Sequence, residues 1–126
     1  MQRLATVLMR HETKAGGHYD WMLQTPASVK DLNARLWTAR VNLPSWCWSN
    51  QSPWDLEMIG EHRSAYLTYE GPLTGGRGTV RRVDSGWVEP HLWSPDRIVF
   101  DMGMTHCCGR IQLERRDESH WQAMME

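Results

Sequence analysis

Histidine, aspartate and tyrosine recur in this chain at spacings that can carry metal or phosphate chemistry. In His18 to Gln24, the residues Tyr19, Trp21 and Leu23 alternate with His18, Asp20, Met22 and Gln24. On a strand, successive side chains point to opposite faces, so His18 and Asp20 share one. A neutral imidazole beside a carboxylate begins a divalent-metal site. His11 is an odd number of residues from His18 and could not share that face on an unbroken strand. The Gly16-Gly17 break lets the chain turn and bring His11 beside the other two, giving a set of two histidines and one carboxylate. Such a set accepts manganese, zinc or cobalt. The same letters also describe the solvated face of a half-buried strand, and spacing alone does not choose between the two.

His62 and Tyr66 stand four apart on an expected strand and so would share a face. Histidine can give a proton to a leaving oxygen or touch a phosphate, and a tyrosine hydroxyl can hold a phosphate oxygen. The plainer reading is a surface histidine beside a core tyrosine. The run Gly71-Pro72-Leu73-Thr74-Gly75-Gly76-Arg77-Gly78 lacks the Lys-Ser/Thr of a P-loop and the helix of a dinucleotide fold. It reads as a sharp corner between strands whose Arg77 can reach a phosphate. His106-Cys107-Cys108 is a poor metal cluster, because neighbouring strand residues diverge and no second pair stands at zinc spacing. It is expected to be structural. His91 and His120 have no useful partners in the sequence and read as ordinary strand or loop residues.

The elements that must position these groups are mostly strands. Short period-two runs recur at Leu4 to Met9, His18 to Gln24, Leu36 to Val41, Ala65 to Glu70, Gly78 to Asp84, Arg97 to Met102, Cys107 to Arg115 and His120 to Met125. About eight mostly antiparallel strands predict an all-β fold, a single small closed or partly closed β-barrel over residues 1–126, with at most short helical turns. A helical turn is expected at Ser52 to Glu57, where Ser52 can cap and Pro53 can occupy the first position. The polar stretch Thr25 to Asn33 is expected to lie outside the strands. Asp84-Ser85-Gly86 reads as a tight hairpin turn.

The 126 residues carry a formal net charge of −1 and a pI near 6.6, which argues against a protein held on nucleic acid by bulk positive charge. Any phosphate contact must then be local. Of 14 basic residues only Lys14 and Lys30 are lysine, and arginine suits bidentate phosphate contacts. Three cysteines, two of them adjacent, make no disulfide framework and fit a reducing cytoplasm. The apolar stretch from Leu4 to Met9 is too short for an export signal or a membrane span. Eight tryptophans against one phenylalanine suit the filling of a small barrel, and most are expected in the core.

In order along the chain, these motifs resemble one family. His11 with His18-Tyr19-Asp20, Trp37 with Pro44-Ser45, Glu61-His62 with Tyr66 and Tyr69-Glu70-Gly71 come first. Pro72 to Val80, Asp84-Ser85-Gly86-Trp87, and Cys108-Gly109-Arg110 through Leu113 with Trp121 follow. Together they resemble the 3′-phosphoesterase module of bacterial DNA ligase D, as a divergent member standing alone. The resemblance implies an eight-stranded barrel holding a manganese-type ion on His11, His18 and Asp20. It also implies His62 and Tyr66 as phosphate-contacting catalytic residues, and removal of a 3′-ribonucleotide or 3′-phosphate in DNA end repair. The expected partners are nucleic-acid 3′ ends and a separate DNA ligase, with a monomer and no membrane. Arg40 is the nearest substitute for a family lysine, so Arg40 and Arg77 are the phosphate-binding candidates. The family arginine two residues after the aspartate is Met22 here. Two rivals are an inactive barrel that only binds an end or a phosphate ligand, and a protein-contact module with several of Trp46, Trp48 and Trp54 outside the core in a continuous apolar patch.

Overall fold

The computed structural model describes residues 2–27, 35–60 and 64–126. Nine strands form one antiparallel sheet: β1 (Leu4–Thr13), β2 (Gly16–Leu23), β3 (Trp37–Val41), β4 (Trp54–Met58), β5 (Gly71–Pro72), β6 (Thr79–Trp93), β7 (Arg97–Met104), β8 (Cys108–Arg115) and β9 (His120–Met125). They are ordered β1-β2-β3-β4-β9-β8-β7-β6-β5, and β1 pairs with β6 as well. Eight strands thus close in a ring, and β5 is a two-residue appendage on β6. The all-β expectation holds. Among the described residues no helix is long and apolar enough to cross a membrane.

Alternation makes these strands. In β7, Ile98, Phe100, Met102 and Met104 are buried while Arg97, Val99, Asp101 and Gly103 are less so. The inward residues form one core around Trp21, whose ring lies 4.5 Å from that of Trp48 and 6.0 Å from that of Phe100. A buried indole N–H needs an acceptor, and Trp21 Nε1 donates to Thr6 Oγ1 at 2.9 Å. A second, smaller cluster lies on the outer face, where Val7, Met9, Met22, Leu36 and Val80 pack under Tyr66, Leu67 and Leu73.

The two ends of the ring differ. A 3-10 turn at Ser45–Asn50 closes one end and sends Trp48 into the core, its Nε1 donating to the Leu43 carbonyl at 2.9 Å. The opposite end is an open cup of about 380 Å³ lined by Trp37, Met58, Trp93, Ile98, Arg115 and Trp121. Trp48 and Trp54 are buried and stacked at 5.1 Å, whereas Trp46 is 50 % exposed. Of these three indoles only Trp46 lies outside the core, so they form no continuous apolar patch.

Three local expectations are corrected. Ser52 to Glu57 is not a helical turn: Trp54 and Leu56 point inward, Asp55 and Glu57 outward, and β4 lies between β3 and β9. The period-two pattern prevails over the Ser-Pro start signal, because only a strand can bury both apolar side chains together. Ala65 to Glu70 is not a strand either, since Ser64–Leu67 is a 3-10 turn. Asp84-Ser85-Gly86 is no hairpin. Strand β6 runs straight through it, with one register shift opposite Leu8 and Met9.

Asp84 belongs there as a buried clamp. Its Oδ2 accepts from Ser45 Oγ at 2.6 Å and from the His106 N–H at 3.1 Å. Its Oδ1 accepts from the N–H groups of Ser85 at 2.8 Å and Thr105 at 2.9 Å. One carboxylate thus ties the closing turn to β6 and to the loop between β7 and β8. Gly86 serves close approach instead of turning, because a Cβ there would collide with the Gly103 carbonyl. Replacing Asp84 by alanine leaves the buried Ser45 hydroxyl and three part-buried N–H groups without their acceptor and is expected to destabilise the fold by about 3 kcal/mol. Thermal unfolding of Asp84→Ala checks this, with a fall in Tm on the order of 10 °C expected.

Candidate metal centre

Strands β1 and β2 form a hairpin around Lys14 and Ala15, and its register sets His11 directly opposite His18. Cross-strand partners share a face, so the parity that separates the two histidines along one strand vanishes across the turn. Asp20 follows on the same outer face. The three side chains converge: His11 Nδ1 lies 3.2 Å from His18 Nε2, and His18 Nε2 lies 3.3 Å from Asp20 Oδ1. Asp20 Oδ2 lies 3.8 Å from His11 Nδ1, and one ligand atom from each residue falls within 4.8 Å of the others.

Two observations test whether a cation fits. Metal bonds to imidazole nitrogen and carboxylate oxygen of about 2.1 Å put neighbouring donors roughly 3.0 to 3.4 Å apart, and the two shorter separations match. Asp20 is 3 % exposed, yet its Oδ1 is buried and accepts no hydrogen bond. A buried, unpaired carboxylate oxygen is costly unless a cation meets it. The donor set therefore fits a divalent ion held from one side, leaving the other positions to water or substrate.

The surroundings tune these ligands. Burial lowers the pKa of His18 from its usual value, aided by the Arg40 charge and by His11 and opposed by Asp20, which keeps the imidazole ready to ligate. Arg40 is the cross-strand partner of Asp20 on β3, and its Nε is buried without a hydrogen-bond acceptor. Glu57 lies opposite Arg40 and His120 opposite Glu57, so the polar row continues across the outer face. Beyond Arg40 opens a cavity of about 300 Å³ lined also by Asn42, Asp55, Glu57, Ser119 and His120.

The other candidates divide. Tyr66 is half-buried and covers the outer apolar cluster that contains Met9, the cross-strand partner of Asp20, and Met22. His62 lies outside the described residues, as does residues 28–34 of the polar stretch that begins at Thr25. The Arg77 guanidinium is held by Thr74, through Nε to the carbonyl at 2.8 Å and Nη2 to Oγ1 at 3.0 Å. Arg77 meets the centre through its main-chain carbonyl, 2.7 Å from His11 Nε2. Met22 is buried in the outer cluster, where its thioether packs among apolar side chains. Cys107 is buried with its thiol pushed up to about 11, chiefly by burial, and all three cysteines are free.

His91 and His120, unpartnered in the sequence reading, both meet carboxylates. His120 Nε2 lies 3.0 Å from Asp55 Oδ1, and His91 Nε2 lies 2.8 Å from Asp101 Oδ2. Glu89, His91 and Asp101 form a second group of potential ligands, but Arg110 already holds both Asp101 oxygens at 2.9 and 3.3 Å. That pairing lowers Asp101 to about 2. Only strand register brings these groups together, and no local motif announces it.

No protein-family model matches this chain, and no curated protein matches it.

Manganese or zinc is expected to raise Tm in proportion to the logarithm of its concentration, as mass action on the folded state requires, and Asp20→Ala to abolish the rise. Differential scanning fluorimetry reads both. For His18 the folded pKa is depressed, so the unfolded chain binds the proton more readily. Stability in chelator is then full above about pH 6.5 and falls as pH drops through the depressed value. His18→Gln should flatten that part of the Tm profile.

Proposed function

We propose that this chain is a metal-dependent phosphoesterase that trims 3′ ends of nucleic acid, a divergent relative of the ligase D 3′-phosphoesterase module. The observation that carries this reading is the Asp20 carboxylate, buried with an unpaired oxygen between two imidazoles. The ordered run of family-like motifs along the sequence supports it and supplies the substrate class. When bound, a divalent cation would polarise the phosphate and orient an attacking water.

The chain's own groups do the remaining work. His11, His18 and Asp20 would hold the cation on the outer face of β1 and β2. Arg40, one strand away from Asp20, stabilises negative charge on the non-bridging oxygens. The resemblance gives proton donation to His62 and a phosphate contact to Tyr66. Manganese is the favoured ion, with zinc or cobalt as substitutes.

Met22 favours a second reading. A methionine packed in the outer cluster supplies no charge to a phosphate, as a barrel that binds ends without turnover would tolerate.

The deciding experiment uses primer-templates bearing a 3′-ribonucleotide or a 3′-phosphate, incubated with manganese. Product release should fall about 100-fold or more in Asp20→Ala, and roughly 100-fold in Arg40→Ala if that cation serves the transition state. Tight binding of manganese and of the 3′ end with no product from either substrate would establish the binding module instead.

A further inference from the structure

We infer that the glycine-rich corner presets the proton positions of the metal centre, so that His11 offers Nδ1 at once while His18 must first shift a proton between its nitrogens. A carbonyl oxygen only accepts, so the 2.7 Å contact from His11 Nε2 to the Arg77 carbonyl requires a proton on Nε2. In a neutral ring this leaves a lone pair on Nδ1, the atom that faces His18 and Asp20.

His18 Nε2 then has one hydrogen-bonding acceptor, the His11 Nδ1 lone pair at 3.2 Å, while Asp20 Oδ1 lies 3.3 Å away without a hydrogen bond. Two lone pairs that close repel, so the His11–His18 contact is favourable only when His18 Nε2 carries the proton and donates it to His11 Nδ1. That proton sits among the three donors, where a cation would be held. For Nε2 to ligate, it must give up this proton to water while Nδ1 takes one from water, with no net proton released. Among the described residues no hydrogen bond holds His18 Nδ1, so the ring is free to make the exchange.

The corner is built to hold the Arg77 carbonyl in place. The Leu73 N–H donates to the Gly78 carbonyl at 2.7 Å, and Thr74 fixes the Arg77 side chain. Gly78 has φ +92°, and a Cβ there would collide with the Glu12 carbonyl, so the corner lies directly on the end of β1. Arg77 and Gly78 are thus positioning residues that act through the backbone.

This inference deepens the metal-centre reading and rests on it for the exchange at His18, but not for the state of His11. The test is a long-range ¹H–¹⁵N correlation spectrum of the full chain at pH 8, in chelator and then with zinc. His11 should carry its proton on Nε2 in both samples, and His18 should change from Nε2–H to Nδ1–H with zinc. A proton on His11 Nδ1 in chelator, or zinc bound with His18 unchanged, overturns the proposal. If calorimetry finds no zinc binding, the metal reading fails, while the His11 signal in chelator still decides the Arg77 contact. Gly78→Ala should mix the two His11 forms and weaken zinc binding about 10- to 100-fold, as loss of an outer ligand contact does.

Discussion

Strand β1 is hydrogen-bonded along both edges, to β2 from Thr6 to Thr13 and to β6 from Leu4 to Glu12. This double pairing closes the ring. It leaves β1 no freedom to slip, because a one-residue shift against either neighbour would turn Leu4 and Leu8 out of the core and bring Val7, Met9 and His11 in. The candidate centre inherits that rigidity. His11 is fixed by β2 through its pairing with His18 and by β6 through its pairing with Val80, while the corner that precedes β6 delivers the Arg77 carbonyl.

Burial does the rest. The outer face of β1 and β2 is apolar at Val7, Met9 and Met22 and polar at His11, His18 and Asp20, so the hairpin changes character along its length. Where the apolar cluster stops, an aspartate is kept from water but near its rim, and its electrostatic cost is offset only by positive charge close at hand. Arg40 supplies one such charge and a bound cation would supply another.

The sequence made the strand-rich architecture legible wherever apolar and polar residues alternate without interruption, as in β2, β7 and β9. It misled where a local signal competed with a distant partner. Ser52-Pro53 looks like a helix start, yet Trp54 and Leu56 are claimed by the core. Asp84-Ser85-Gly86 has the composition of a turn, but its carboxylate is consumed by donors from residues 45, 105 and 106, which no local window contains. His18 with Asp20 was visible from spacing because strand alternation is local. The roles of Arg77 and of the His91–Asp101 pair depend on register between distant strands, and residue types alone do not encode it.

Ring closure also decides how another polypeptide can approach. An open sheet offers a row of unpaired backbone donors and acceptors that invites strand addition by a peptide or by a second copy. Here each of the eight ring strands has a neighbour on both sides, and β5 contributes only Gly71 and Pro72, the second of which has no N–H to give. Among the described residues, backbone edges are left only in short pieces, such as Gly16 to His18 of β2, so recognition falls mainly to side chains on the outer face or at the open end. The same economy of backbone edges guards a tryptophan-rich chain against amyloid-like stacking.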